Sequence, residues 1–117
     1  MKELTNPISG YRITIMGATG DQTFGWIELL NGPKSAGYVY FSSKTDNSPD
    51  HLSFDGTYIV MHQPVSFLPN LLTILRDEAS LQIRFFDPES PGVAPSTFIE
   101  SLGATPLGVK EDPKLLT

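Results

Sequence analysis

The sequence contains no cysteine. That excludes disulfide staples, thiol nucleophiles, thiolate-bound zinc and any redox role built on cysteine, and it fits a reducing compartment. Long apolar runs are missing as well, and nothing approaches the roughly 20 residues a membrane-spanning helix needs. The opening MKELTNPISG carries charge without an apolar segment, so no signal peptide is expected and the predicted setting is cytoplasmic. Basic residues are few: eight Lys and Arg face thirteen Asp and Glu, for a formal charge of −5 and a pI near 4.8. So thin a supply of cations is unsuited to a phosphate backbone, and neither a nucleic-acid nor a membrane partner is expected. Histidine is scarce too, with two in the chain.

What is present is enough for a core. Apolar residues make up 39% of the 117 and charged residues 18%, a balance that predicts a folded chain. Ten Gly and ten Pro, widely scattered, imply many turns and short elements. We expect a single domain over 1–117, with an irregular lead-in at 1–10 and a frayed tail from about 110 to 117.

One segment reads as a helix, over about 67–77. Leu68, Leu71, Leu72 and Leu75 recur at i, i+3, i+4 and i+7, with Phe67 and Ile74 widening the stripe. Ser66 is placed to cap it, Pro69 falls in its first turn, and Arg76 suits the negative end of its dipole. Asn70, Thr73, Arg76 and Asp77 face outward. A short helix this apolar on one side requires a sheet to lie on.

Alternation supplies the sheet. Strands are predicted at 11–16, 23–30, 37–42, 57–61 and 81–86, with a further short one at 97–100 and an edge segment in LGATPLGV. The fourth has an alternative start at Leu52, with Asp55-Gly56 as a bulge or turn. NGPKSA joins the second and third as a hairpin loop, and SSKTDNSPDH and DPESPGVAPS are loops by composition. The fold class expected is α+β: a bent, mostly antiparallel sheet of five to six strands with the helix packed on one face. Were 23–30 helical, the order would become βαββαβ, the ferredoxin-like alternative.

Ile13-Thr-Ile-Met-Gly-Ala-Thr-Gly20, a strand followed by GATG, resembles the opening of short-chain dehydrogenase-type dinucleotide folds. There, backbone amides at a helix N-terminus hold a pyrophosphate. The pattern departs at once: Thr23 stands where a third glycine is wanted, and no βαβαβ series follows. Gly17–Gly20 is read as a glycine turn that offers amides to an anion at most, and no cofactor is expected.

Two chemical alternatives are weighed. His62, at a strand end, would act as a base with Ser66 as nucleophile and Asp55 as orienting carboxylate, making a small enzyme or ligand-binding protein that also uses the Gly17–Gly20 turn. Asp46, Asn47, Asp50 and Asp55 offer oxygen ligands, but their spacing matches no calcium loop, and no metal is expected. The aromatics weigh more. Tyr38 and Tyr40 share one strand face, Val39 and Phe41 the other; Trp26 and Tyr58 lie on neighbouring strands. With Val39 and Phe41 under the helix, the tyrosines stand outward, offering flat apolar area with polar tips. The predicted function is a non-catalytic binding or protein-interaction module acting through Trp26, Tyr38, Tyr40 and Tyr58. A homodimer formed through the open sheet face or an edge strand is its expected form, and a carbohydrate-binding module is a further alternative.

Overall fold

The computed structural model describes residues 1–16, 23–42, 49–77 and 80–102. Among the described residues, eight strands, one 3-10 turn and one α-helix follow one another as β1 (Lys2–Ile8), β2 (Gly10–Ile15), β3 (Thr23–Asn31), β4 (Lys34–Ser42), β5 (His51–Leu52), β6 (Ile59–Pro64), the turn Val65–Phe67, α1 (Leu68–Asp77), β7 (Leu81–Asp87) and β8 (Ser96–Ser101). The α+β class is as expected. The strands, however, form two sheets: five strands in the order β2-β3-β4-β6-β5 and three in the order β1-β7-β8. Thr23–Asn31 is extended, so the ferredoxin-like order does not occur.

The expectation of a single sheet fails at the N-terminus. Residues 1–10 read as irregular because Lys2, Glu3, Thr5, Asn6 and Pro7 mask the alternation, yet Lys2–Ile8 pairs antiparallel with β7 along its whole length. Pro7 is tolerated because β1 is an edge strand. With β1 on one side and β8 on the other, β7 becomes the centre of a second sheet instead of the closing strand of the first. The chain then crosses between sheets at Ser9. Its amide donates to the Leu30 carbonyl at 2.7 Å, and its hydroxyl accepts from the Gly32 amide at 2.8 Å. Gly32, first residue of the two-residue turn between β3 and β4, has φ +61°, the left-handed geometry that primed hairpin turns require.

Pairing is mostly antiparallel, as expected. The exception is β4 and β6, which run parallel, from Gly37↔Ile59 to Ser42↔Pro64. Parallel neighbours need a long connection, and residues 43–58 supply it, with β5 folding back antiparallel onto β6.

The core lies between the sheets. Ile27, Leu29, Val39, Phe41, Ile59 and Met61 project from the larger sheet onto Ile83 and Phe85 of β7, with Leu4, Ile8 and Ile99 at the margin. Leu71 of α1 is fully buried in the same cluster, and Phe67, Leu68, Leu72 and Leu75 pack against it, so the helix stripe is as its spacing predicts. The helix does not cover the sheet as expected, because the smaller sheet, with Ile83 and Phe85, takes the place over Val39 and Phe41. Asn70, Thr73, Arg76 and Asp77 are exposed, again as expected. Ser66 is not the cap: the helical run opens one residue earlier, with Pro64 ahead of the 3-10 turn and no side-chain cap. Asn6 stitches the two sheets together, its amide nitrogen donating to the Ala36 carbonyl at 3.0 Å and the Thr57 carbonyl at 3.1 Å. The GATG turn, Asp46, Asn47, the LGATPLGV edge beyond Leu102 and the frayed tail lie outside the described residues. Among the described residues no helix is long and apolar enough to cross a membrane.

Candidate functional site

Side chains alternate across a strand, so residues that put Ile27, Val39 and Met61 into the core must put their neighbours on the opposite face. Strand register lines those neighbours up in two rows. Thr14, Trp26, Tyr40 and His62 are successive partners across β2, β3, β4 and β6; Arg12, Glu28, Tyr38, Val60 and His51 make the adjacent row. Tyr58, two residues before Val60, falls on the same side.

The rings form one connected array. Tyr38 and Tyr40 stack with centroids 5.9 Å apart and planes at 14°. Trp26 leans on Tyr40 at 6.0 Å and Tyr58 on Tyr38 at 5.3 Å. Tyr40 also stacks on His62 at 5.9 Å, and His62 meets His51 at 5.7 Å. For the three pairs among Trp26 and the tyrosines these separations lie in the favourable range for offset and tilted aromatic contacts, each worth about 0.5–1.5 kcal/mol beyond area burial. Trp26, Tyr38, Tyr40, Tyr58 and His62 are all half-buried, held by their neighbours while keeping a free surface. Burial, and after it the tyrosines Tyr38 and Tyr58, push the Tyr40 phenol above the ordinary tyrosine range.

Charge enters at one margin. Glu28 accepts a short hydrogen bond from the Ser35 hydroxyl and pairs with Arg12 at 3.0 Å. The Ser35 hydroxyl foremost, and then the Arg12 guanidinium, hold its carboxyl below the usual range.

The four aromatic residues expected to bind, Trp26, Tyr38, Tyr40 and Tyr58, therefore come together on one face. His62 joins them, as does His51. The signal for His62 was its parity with Tyr58; ending the strand at 61 hid it. The other expected trio is dispersed. Asp55 sits in the turn before β6, accepting from the Ser53 and Thr57 hydroxyls at 2.7 Å each, which keeps its carboxyl low. Ser66 is exposed in the 3-10 turn beyond β6. The carboxylate that reaches His62 is that of Asp50, which accepts from the His62 backbone amide at 2.9 Å. A cleft of about 340 Å³ takes in Asp50, His51 and Asp55 but neither His62 nor Ser66. Among the described residues no three His, Asp or Glu side chains converge as a metal site would need.

No protein-family model matches the chain, and no curated protein or solved structure matches it either.

Proposed function

We propose that this protein is a non-catalytic interaction module that recognises a protein surface through the aromatic face of its larger sheet, its first partner being a second copy of itself. The observation that carries this is the connected array Trp26–Tyr40–Tyr38–Tyr58 with His62 and His51, all presented by one sheet face. Trp and Tyr are the residues most concentrated at the energetic centres of protein interfaces, where large rigid rings are desolvated at low entropic cost. A sheet face is also self-complementary: a two-fold axis above it sets ring against ring, as two sheets pack in a sandwich. The absence of cysteine fits a cytoplasmic setting for such a module.

Sedimentation velocity at micromolar concentration tests the reading. The chain is expected to sediment as a dimer and Trp26→Ala or Tyr40→Ala as monomers that remain folded. A monomeric wild-type protein sinks self-association. A dimer indifferent to both substitutions but lost in Ile13→Thr moves the interface to the β2 edge, where Ile13 and Ile15 are 42% and 51% exposed.

A second reading is favoured by the near-parallel Tyr38–Tyr40 pair and the Glu28 carboxylate beside it. Flat rings flanked by hydrogen-bonding groups also suit the apolar face and hydroxyls of a neutral sugar. Glycan-array binding abolished by Tyr38→Ala in a monomeric wild-type protein would favour carbohydrate over protein.

A further inference from the structure

A second concavity lies at the end of the aromatic face, between the tip of the β3–β4 hairpin and the turn that leads into β6. It is an open cleft of about 640 Å³, within the size range of small-molecule sites. Asn31, Lys34 and Ser35 line one rim, Thr57 and Tyr58 the other, and Asn6 the floor between them.

Both rims are pinned. The hairpin tip is tied back to Ser9, whose hydroxyl accepts from the Gly32 amide and donates to the Leu30 carbonyl at 3.3 Å. The opposite turn is closed by the Ser53 hydroxyl, which accepts from the Thr57 and Tyr58 amides at 3.1 Å each, and by Asp55, which accepts from the Thr57 hydroxyl and amide. Asn6 then fixes the spacing by bridging Ala36 on one side and Thr57 on the other. A cleft held this way binds without an ordering cost, the condition under which few contacts give usable affinity.

Its chemistry is asymmetric. Lys34 is exposed and makes no ion pair among the described residues. Of the carboxylates near the rims, Glu28 is paired with Arg12 and accepts from Ser35, while Asp55 accepts from Ser53 and Thr57 within its own turn. Asn31 and Thr57 add amide and hydroxyl groups, while the Tyr58 ring gives one flat wall. A single ammonium serves an anionic group as a point charge, and the amides and hydroxyls suit a ligand with hydroxyls of its own.

We propose that this cleft binds a small polyhydroxylated anion, a sugar acid or a sugar phosphate, with its anionic group on Lys34, its hydroxyls on Asn31 and Thr57, and its ring against Tyr58. The site does not depend on the dimer reading, although Tyr58 belongs to both surfaces.

Amide-shift titration of the full chain with glucuronate, glucose 6-phosphate and glucose tests it. One or both anions are expected to shift Asn31, Lys34, Ser35 and Thr57, and the anion that does so identifies the source of the charge. Lys34→Gln should weaken that binding about ten- to a hundredfold, the worth of one charge-assisted hydrogen bond. Trp26→Ala should abolish the dimer without weakening this binding, so the two proposals fail separately. Glucose binding as tightly as the anions, an unaltered affinity in Lys34→Gln, or no shift with either anion at millimolar concentration overturns the assignment.

Discussion

The two faces of the larger sheet are built from alternate residues of the same strands, and they differ in almost every physical respect. The inner face carries Ile27, Leu29, Val39, Phe41, Ile59 and Met61, all but excluded from solvent. The outer face carries Trp26, Glu28, Tyr38, Tyr40, Tyr58 and His62, half-buried, with the rings in contact with one another. Aliphatic side chains gain from leaving water and have no use for a polar neighbour, so they go to the sandwich interior. Tyrosine and tryptophan gain from partial burial and keep a polar tip wet, so they tolerate the open side. One strand thus separates the packed core from the aromatic face by nothing more than odd and even positions.

The sharpest test of that separation compares neighbours in β4. Phe41→Ala removes a ring that is 1% exposed and should cost about 3–5 kcal/mol in urea denaturation. Tyr40→Ala, one residue away, should cost about half as much or less, since its ring has solvent on one side. Its effect on self-association should be the larger of the two. Equal stability losses would mean that the outer face is a second core and not a recognition surface.

Next in size are two glycines on the inner side. A Cβ at Gly37 would stand 2.9 Å from the Ile59 carbonyl oxygen and 3.1 Å from Ile83 Cδ1, so Gly37→Ala presses the parallel pair apart and the second sheet away. The expected cost is about 1–3 kcal/mol, the usual range for overpacking. At Gly25 the obstacle is backbone: a Cβ would lie 2.3 Å from the Thr14 carbonyl oxygen. Gly25→Ala should therefore loosen β2 selectively, read as faster hydrogen exchange in 10–15 with β4 and β6 still protected. Exchange rising equally in all strands would show that β2 is not a separable edge.

How much of this was legible follows from where the alternation is clean. Tyr38, Val39, Tyr40 and Phe41 alternate without interruption, and both the strand and the destination of each side chain could be read from them. The leucine stripe of α1 was equally plain. The N-terminal strand was not, because Asn6 occupies an inward position that a pattern of hydrophobicity scores as polar, and its role in bridging Ala36 and Thr57 has no sequence signature. Pro7 adds a residue that interior strands exclude and an edge strand permits. The cleft around Lys34 was illegible for a related reason: its lining comes from β1, the hairpin tip and the turn before β6, which only the paired sheets bring together.

Acidification probes the charged margin of the outer face. Glu28 is held ionised in the folded protein by Ser35 and Arg12, so its folded value lies below that in the unfolded chain. Its contribution is fully present above the ordinary carboxylate range and is lost as the pH falls through its lowered value. The denaturation midpoint of the wild-type protein should therefore drop more steeply on acidification than that of Glu28→Gln. Asp55, Glu89 and Glu100 are also lowered, but they are shared by both proteins and cancel in the difference. Parallel acid profiles would show the Ser35–Glu28 bond to be without energetic weight.

The smallest expected effect lies inside the aromatic array, at Tyr40. Its phenol is pushed up by burial first and by Tyr38 and Tyr58 second, because a phenolate there would leave water and face two further ionising rings. A raised folded value contributes stability below the ordinary tyrosine range, and that contribution disappears as the pH climbs through it. Spectrophotometric titration of the double variant Tyr38→Phe/Tyr58→Phe separates the two causes. Without its ionising neighbours, Tyr40 should titrate at a lower pH than in the wild-type protein, yet still above a solvent-exposed tyrosine, since burial is the larger contribution. A return all the way to the exposed value would mean that the ring is wet and held only by charge. The outer face would then be an ordinary solvated sheet surface, unlike the half-desolvated platform that the proposed partner recognition requires.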